Sequence, residues 1–176
     1  VVFDPVLSFI PHYQYVIGKS YKMLGFIIRN SRSFTHIDSF KILFFAFVRS
    51  HLEYCSIIWN PHYQTHIRNI ESIQRKFLKY LYFVKHREYP ERGYPYYNLV
   101  TEFDIDPLYV RRQISSVMCL YNIIHNNIDN SELLEMLNFN VPRLGIRCVK
   151  TFYCSSARTN QHKSSPMLLM CTLYNE

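Results

Sequence analysis

Apolar side chains recur every three or four positions along much of this chain, and that period belongs to helices that bury one face. The clearest stretch runs from Thr65 to about Lys85. There Ile67, Ile70, Ile73, Phe77, Leu78 and Leu81 form one stripe, and Arg68, Arg75, Lys76 and Lys79 occupy other faces. A second stripe, Tyr13, Val16, Ile17, Leu24, Ile27 and Ile28, predicts a helix from about Ser8 or His12 to Asn30, with Lys19, Lys22 and Arg29 lying off it.

Other segments carry start and stop signals. Thr35, with Asp38 three residues on, comes close to a capping box. The body that follows, Phe40 to Val48, is apolar almost all round, as in a helix buried on most sides. Ser50 and Glu53 form a cleaner box, which predicts a break near Ser50 and a short helix to Trp59, stopped by Asn60-Pro61. Pro90, Gly93 and Pro95 make His86 to Pro95 a loop. Asp106-Pro107 reads as an N-cap followed by a first-turn proline. The helix it opens should reach about Asn126 and bury Leu108, Ile114, Met118, Tyr121 and Ile124. Ser131 to Leu137 is a short helix, and Ser165-Pro166 starts a last helical turn through Tyr174.

Together these segments predict a mainly α chain, a bundle of about five to six helices. Val1 to Phe3, halted by Asp4-Pro5, reads as a short N-terminal strand remnant, and residues 138–165 as an irregular, extended tail. The expected organisation is a helical region over residues 1–87, a connecting loop and further helices over 88–137, and a basic, aromatic tail over 138–176. An opening Val1 in place of Met reads as a fragment or degenerate copy of something longer.

At 48% hydrophobic the chain can bury a real core, and with only 4 glycines it is a poor candidate for a Gly-cradled nucleotide loop. The net charge is +7, which favours an anionic partner. Residues 1–63 hold 6 basic and 3 acidic groups, 64–92 hold 7 and 3, 93–137 hold 2 and 6, and 138–176 hold 5 and 1. Any nucleic-acid contact should therefore come from the helices before Arg92 or from the tail. The opposing reading of the same charge is a set of solvated helix faces. The 5 cysteines are odd in number and lack C-x-x-C spacing, which points to free thiols in a reducing, intracellular compartment. The longest clean apolar run, Ile42 to Val48, is far short of the roughly 18 residues of a membrane helix, so no membrane partner is expected.

The sequence offers little chemistry of its own. A two-metal polymerase site needs paired carboxylates, and no Asp-Asp occurs; Asp104-x-Asp106 reads as loop and N-cap. No catalytic residue, metal site or cofactor is assigned. Cys148, Cys154, His162 and Cys171 are soft ligands, but their spacing is too long and irregular for a zinc site, and free thiols are the simpler reading. Trp59 is the single Trp, either a core plug or a base-stacking ring. Arg49 and Glu53 are placed to pair four residues apart. In the tail, Arg143, Arg147, Lys150, Arg158 and Lys163 interleave with Phe139, Phe152 and Tyr153, a mixture that suits either single-stranded nucleic acid or packing back on the bundle.

Three ordered stretches carry a family resemblance. The first is Val2-Phe3-Asp4 with Leu7-Ser8-Phe9 and His12, then Lys19-x-x-Lys22-Met23-Leu24-Gly25-Phe26-Ile27. The second is Val48-Arg49-Ser50-His51-Leu52-Glu53-Tyr54 with Ile58-Trp59-Asn60-Pro61. The third is Ile70-Glu71-x-Ile73-Gln74-Arg75-Lys76-Phe77-Leu78, then Tyr89-Pro90-Glu91-Arg92-Gly93-Tyr94-Pro95. Phe139 to Arg143 and Thr151-Phe152-Tyr153 extend the likeness along nearly the whole chain. In order and spacing these resemble the C-terminal, thumb and post-thumb region of reverse transcriptases of jockey-like, LINE-type non-LTR retrotransposons.

The resemblance implies a fragment of an RNA-directed DNA polymerase that binds a template–primer duplex and lacks the catalytic palm. The upstream palm of the parent protein, which would use Mg, is the second implied partner. The chain alone would not be an enzyme. A thumb lies along the duplex and holds its backbone by charge and shape, so Lys19, Lys22, Arg29, Arg68, Arg75, Lys76 and Lys79 are the expected nucleic-acid contacts. The competing expectation is an inactive retrotransposon remnant or a helical protein-interaction module without a nucleic-acid ligand.

Overall fold

The computed structural model describes residues 1–141 and 150–176; Pro142, Arg143, Arg147 and Cys148 fall outside the described residues. By its internal contacts the chain divides into two units, Val1–Val110 and Arg111–Glu176. The first holds α1 (Ile10–Asn30), α2 (Ile37–Phe44), a π turn (Phe45–Arg49) running into α3 (Ser50–Glu53), then α4 (Ser56–Trp59), α5 (Gln64–His86) and α6 (Tyr96–Phe103). Helix α7 (Leu108–Ile124) passes from the first unit into the second, which adds α8 (Ser131–Glu135), α9 (Asn160–Lys163) and α10 (Pro166–Asn175). The mainly α expectation holds. Among the described residues no helix is long and apolar enough to cross a membrane.

Aromatic contacts set the direction of each helix in the first unit. Tyr13 meets His66 at 4.7 Å between ring centroids, and further along both helices Tyr21 Oη lies 2.8 Å from Ser72 Oγ. Residue numbers rise together, so α1 and α5 run parallel. The segment between them runs back. Phe40 packs on Tyr80 (5.6 Å), Phe44 stacks flat on Phe77 (4.0 Å, 3° between planes), and Trp59 returns to His12 and Tyr13. The result is an up–down–up arrangement with Leu24, Ile27, Phe44, Val48, Leu52, Ile70, Ile73, Phe77, Leu78 and Leu81 buried at its centre. Truncating Phe77 to Ala there would cost about 3–5 kcal/mol. Trp59 is a core plug: it is 1% exposed, and its Nε1 donates to the Tyr54 carbonyl at 2.8 Å.

A polar clamp ties the chain after α5 back onto that helix. Glu71 Oε1 accepts from Tyr96 Oη (2.5 Å) and from the Leu108 N–H (2.9 Å), an orphan donor at the start of α7. Gln74, fully buried, donates from Nε2 to Tyr96 Oη (3.0 Å) and to the Asp106 carbonyl (2.9 Å). Burial, and then the neighbouring Glu71 carboxylate, push the Tyr96 phenol far above its ordinary pKa, which keeps it a donor. At the far end of α5, Lys85 and His86 both reach Glu102 Oε1 at 2.7 Å. Burial alone would raise that carboxyl, but the bonds from Lys85 and His86 outweigh it and hold Glu102 below its usual range.

Four sequence expectations need correction. Val1 to Phe3 is not a strand: among the described residues no strand pairs with it, and the Val2 N–H donates instead to His12 Nδ1 at 3.2 Å. Ser50 caps nothing, because the helix continues through it and its Oγ bonds back to the Ala46 carbonyl; the real break is at Tyr54–Cys55, where Cys55 takes a left-handed φ of 52°. Arg49 does approach Glu53, at 3.9 Å. In α7 the buried side chains are Leu108, Arg112, Ser116, Leu120 and Ile123, while Ile114, Met118 and Tyr121 are about half exposed. Two residues of offset is about 200° around a helix, so the apolar stripe lies opposite the buried face. A hydrophobicity count cannot see a face that buries Arg112 and Ser116.

The fourth correction concerns the described part of the tail: residues 138–141 and 150–159 are irregular as expected, but they carry one pairing, and α9 adds a helical turn within the stretch. The Asn140 N–H donates to the Thr151 carbonyl and the Tyr153 N–H to the Asn138 carbonyl, on either side of an antiparallel bridge between Phe139 and Phe152. The Asn175 amide then pairs with both backbone groups of Phe152, at 2.9 and 3.2 Å, as a strand would. Thr159 caps α9 by accepting from the His162 N–H, and α10 begins at the expected Pro166.

Two outcomes follow. Glu71→Ala strands two donors and should lower stability by roughly 2–4 kcal/mol, whereas Tyr96→Phe loses about 1 kcal/mol; the pair should be less than additive in urea unfolding. His12 is 5% exposed and edge-on to Trp59, and burial, then the Val1 amino group, hold its pKa below the ordinary 6.5. The folded state therefore resists a proton that the unfolded chain accepts. Stability should be full above pH 6.5 and fall as the pH drops below it, with His51 and His62, shifted the same way by burial, adding to the slope. Thermal unfolding between pH 8 and pH 5 would show this as a falling midpoint, and His12→Phe should flatten part of it.

Candidate functional site

The α5 cations share one face. On a helical wheel Arg68, Arg75, Lys76 and Lys79 fall within an arc of about 100°, opposite the apolar stripe. Beside them runs the outer side of α1, on which Lys22 and Arg29 are separated by only about 20°. Because the two helices are parallel, Arg29 of α1 and Lys76 and Lys79 of α5 face a common furrow.

That furrow consists of two recesses in the first unit. One, of about 390 Å³, is lined by Tyr21, Leu24, Gly25, Ile28, Arg29, Lys76, Lys79, Tyr80 and Tyr89. The other, of about 330 Å³, shares Ile28, Tyr80 and Tyr89 with the first and adds Arg32, Phe34, Phe40, Phe83, Val84 and Arg87. Among the described residues five cations thus line the pair, and no carboxylate does. Gly25 leaves room for one of them: a Cβ at that position would sit 3.3 Å from an Arg29 guanidinium nitrogen. A smaller recess in the second unit, about 160 Å³, is lined by Tyr153, His162 and Cys171 among others, with no Lys or Arg among the described residues that line it.

Of the seven expected contacts, Arg29, Lys76 and Lys79 line the furrow. Lys76 Nζ also stands 5.4 Å from the centre of the Tyr21 ring. Lys22 and Arg68 are exposed on the same helix faces without lining it. Arg75 is used by the fold: a guanidinium nitrogen donates to the Tyr94 carbonyl at 3.0 Å, and the group lies over the Tyr96 ring. Lys19 sits on the other flank of α1, 5.9 Å from the Tyr15 ring and near enough to His51 to add to the lowering that burial begins. Of the tail rings singled out in the sequence, Phe152 is buried, while Phe139 and Tyr153 are exposed. Among the described residues no three His, Cys, Asp or Glu side chains gather to hold a metal ion.

Sequence reasoning missed Arg32, Arg87, Tyr21, Tyr80 and Tyr89. Arg32 and Arg87 sit just beyond the C-termini of α1 and α5, in segments that read as turn and loop; only the parallel packing brings those turns together. Arg87 takes a left-handed φ of 60° and donates its N–H to the Phe83 carbonyl at 2.8 Å. This reversal folds Tyr89 back onto Phe83, ring on ring at 4.6 Å and 15°. Tyr80 is almost fully buried at the floor, and burial raises its phenol pKa, keeping it neutral. Comparison of the chain with protein-family models, with curated proteins and with solved structures finds no match.

A left-handed residue with a Cβ costs about 1 kcal/mol. Arg87→Gly should therefore raise the thermal midpoint, while Arg87→Val should lower it, both readable by circular dichroism.

Proposed function

We propose that the Val1–Val110 unit grips the polyanionic backbone of nucleic acid, as the non-catalytic thumb region of a jockey-like non-LTR reverse transcriptase would grip its template–primer. The observation that carries this reading is the furrow, where Arg29, Arg32, Lys76, Lys79 and Arg87 meet without a carboxylate among its lining residues. Five like charges around one cleft repel one another, and a row of phosphates relieves that repulsion while releasing counterions. The parentage rests on the three ordered stretches of sequence. In this reading bond-making, with its Mg, belongs to the upstream palm, and this unit contributes position and hold.

One observation favours a second reading, a helical protein-interaction module or inactive remnant. The Ile114, Met118 and Tyr121 stripe of α7 is half exposed, which suits a partner surface rather than solvent.

The test is fluorescence anisotropy with an RNA–DNA duplex that carries a single-stranded template overhang. Binding should be tolerant of sequence, and log K should fall with log salt at a slope of roughly −3.5 to −4.5 for five neutralised phosphates. Arg29→Glu, Lys76→Glu and Lys79→Glu together should weaken binding by more than about ten-fold, while Lys19→Glu changes it little. Equal affinity of parent and triple variant would remove the gripping role. A chain that self-associates and ignores nucleic acid in sedimentation would favour the second reading.

A further inference from the structure

The furrow is aromatic as well as basic, and the rings bear on which form of nucleic acid it takes. Tyr89 carries the point. One face of its ring is covered by Phe83 at 4.6 Å, yet the residue is 58% exposed, so its other face is open to solvent over the seam between the two recesses. Tyr21 borders the first recess beside Lys76, held by its hydroxyl against Ser72. Cations at the rim and an open ring over the seam are the two parts of a single-strand site: charge follows the backbone while bases stack on π faces.

A duplex cannot use this arrangement. Its bases are already stacked inside the helix, so it could rest across the cations but could not place a ring on Tyr89. Recesses of about 390 and 330 Å³ are on the scale of small-molecule sites and sit side by side, as successive nucleotides do. An acidic peptide would satisfy the cations and leave the rings unused.

We infer that the furrow binds a single-stranded nucleic-acid segment, with its phosphates on Arg29, Lys76, Lys79 and Arg87 and a base stacked on the open face of Tyr89. This rests on the polyanion-gripping reading and narrows it: the ligand is the unpaired strand beside the duplex.

The experiment measures the full chain against three probes at one salt concentration. They are an oligothymidylate of about six nucleotides, a blunt hairpin duplex with the same number of phosphates, and an oligoglutamate of matching charge. The expected result is an affinity for the oligothymidylate about ten-fold above that for the hairpin. Tyr89→Leu should lose about ten-fold on the single strand, a larger loss than on the hairpin, while Tyr89→Phe restores strand binding. Far-ultraviolet circular dichroism of each variant checks that the fold persists. Hairpin binding as tight as strand binding, with no effect of Tyr89→Leu, would overturn the inference and leave the gripping role standing. Competition by oligoglutamate as strong as by the strand would also overturn it. Failure to bind either nucleic acid would end both readings.

Discussion

Ile70, Ile73, Phe77, Leu78 and Leu81 have no exposed surface, and their burial decides which way α5 faces. With that stripe locked against Phe44, Val48 and the inner side of α1, every other α5 side chain has a fixed bearing. Glu71 and Gln74 turn toward the following loop and hold it. Lys76 and Lys79 turn toward α1. The basic face is thus a by-product of the apolar one, positioned by the same hydrophobic energy that forms the core.

The parallel relation of α1 and α5 matters equally. Consecutive helices joined by a short turn run antiparallel, so a parallel pair needs an element that travels back. The α2–π–α3–α4 stretch does this, and its aromatic residues explain the cost the sequence accepts in carrying so many rings. Phe40, Phe44 and Trp59 each lock one level of the return path onto α5 or α1. Only because of that return do two distant turns, at Arg32 and Arg87, end up beside one recess.

Much of this was legible in the chain, and the failures have a common cause. The α1 and α5 stripes were readable because their buried faces are apolar throughout. The α7 face was misread because it buries Arg112 and Ser116, so the exposed apolar residues looked like the inner ones. The string Ile70-Glu71-x-Ile73-Gln74-Arg75-Lys76 belongs to the stretches that carry the resemblance, yet Glu71, Gln74 and Arg75 bond to residues 94–108 and serve the fold. Only Lys76 of that group lines the furrow. The site was half visible: cations on regular helices stand out by spacing, whereas Arg32, Arg87 and Tyr89 depend on a tertiary relation that no local pattern records.

The parallel pairing has an electrostatic side as well. Two helices pointing the same way bring two carbonyl-rich, partly negative ends to one pole of the unit. Arg29, Arg32, Lys85 and Arg87 cluster at that pole, so some of their charge is spent within the protein before any outside anion feels it. The field offered to a phosphate is smaller than five formal charges imply.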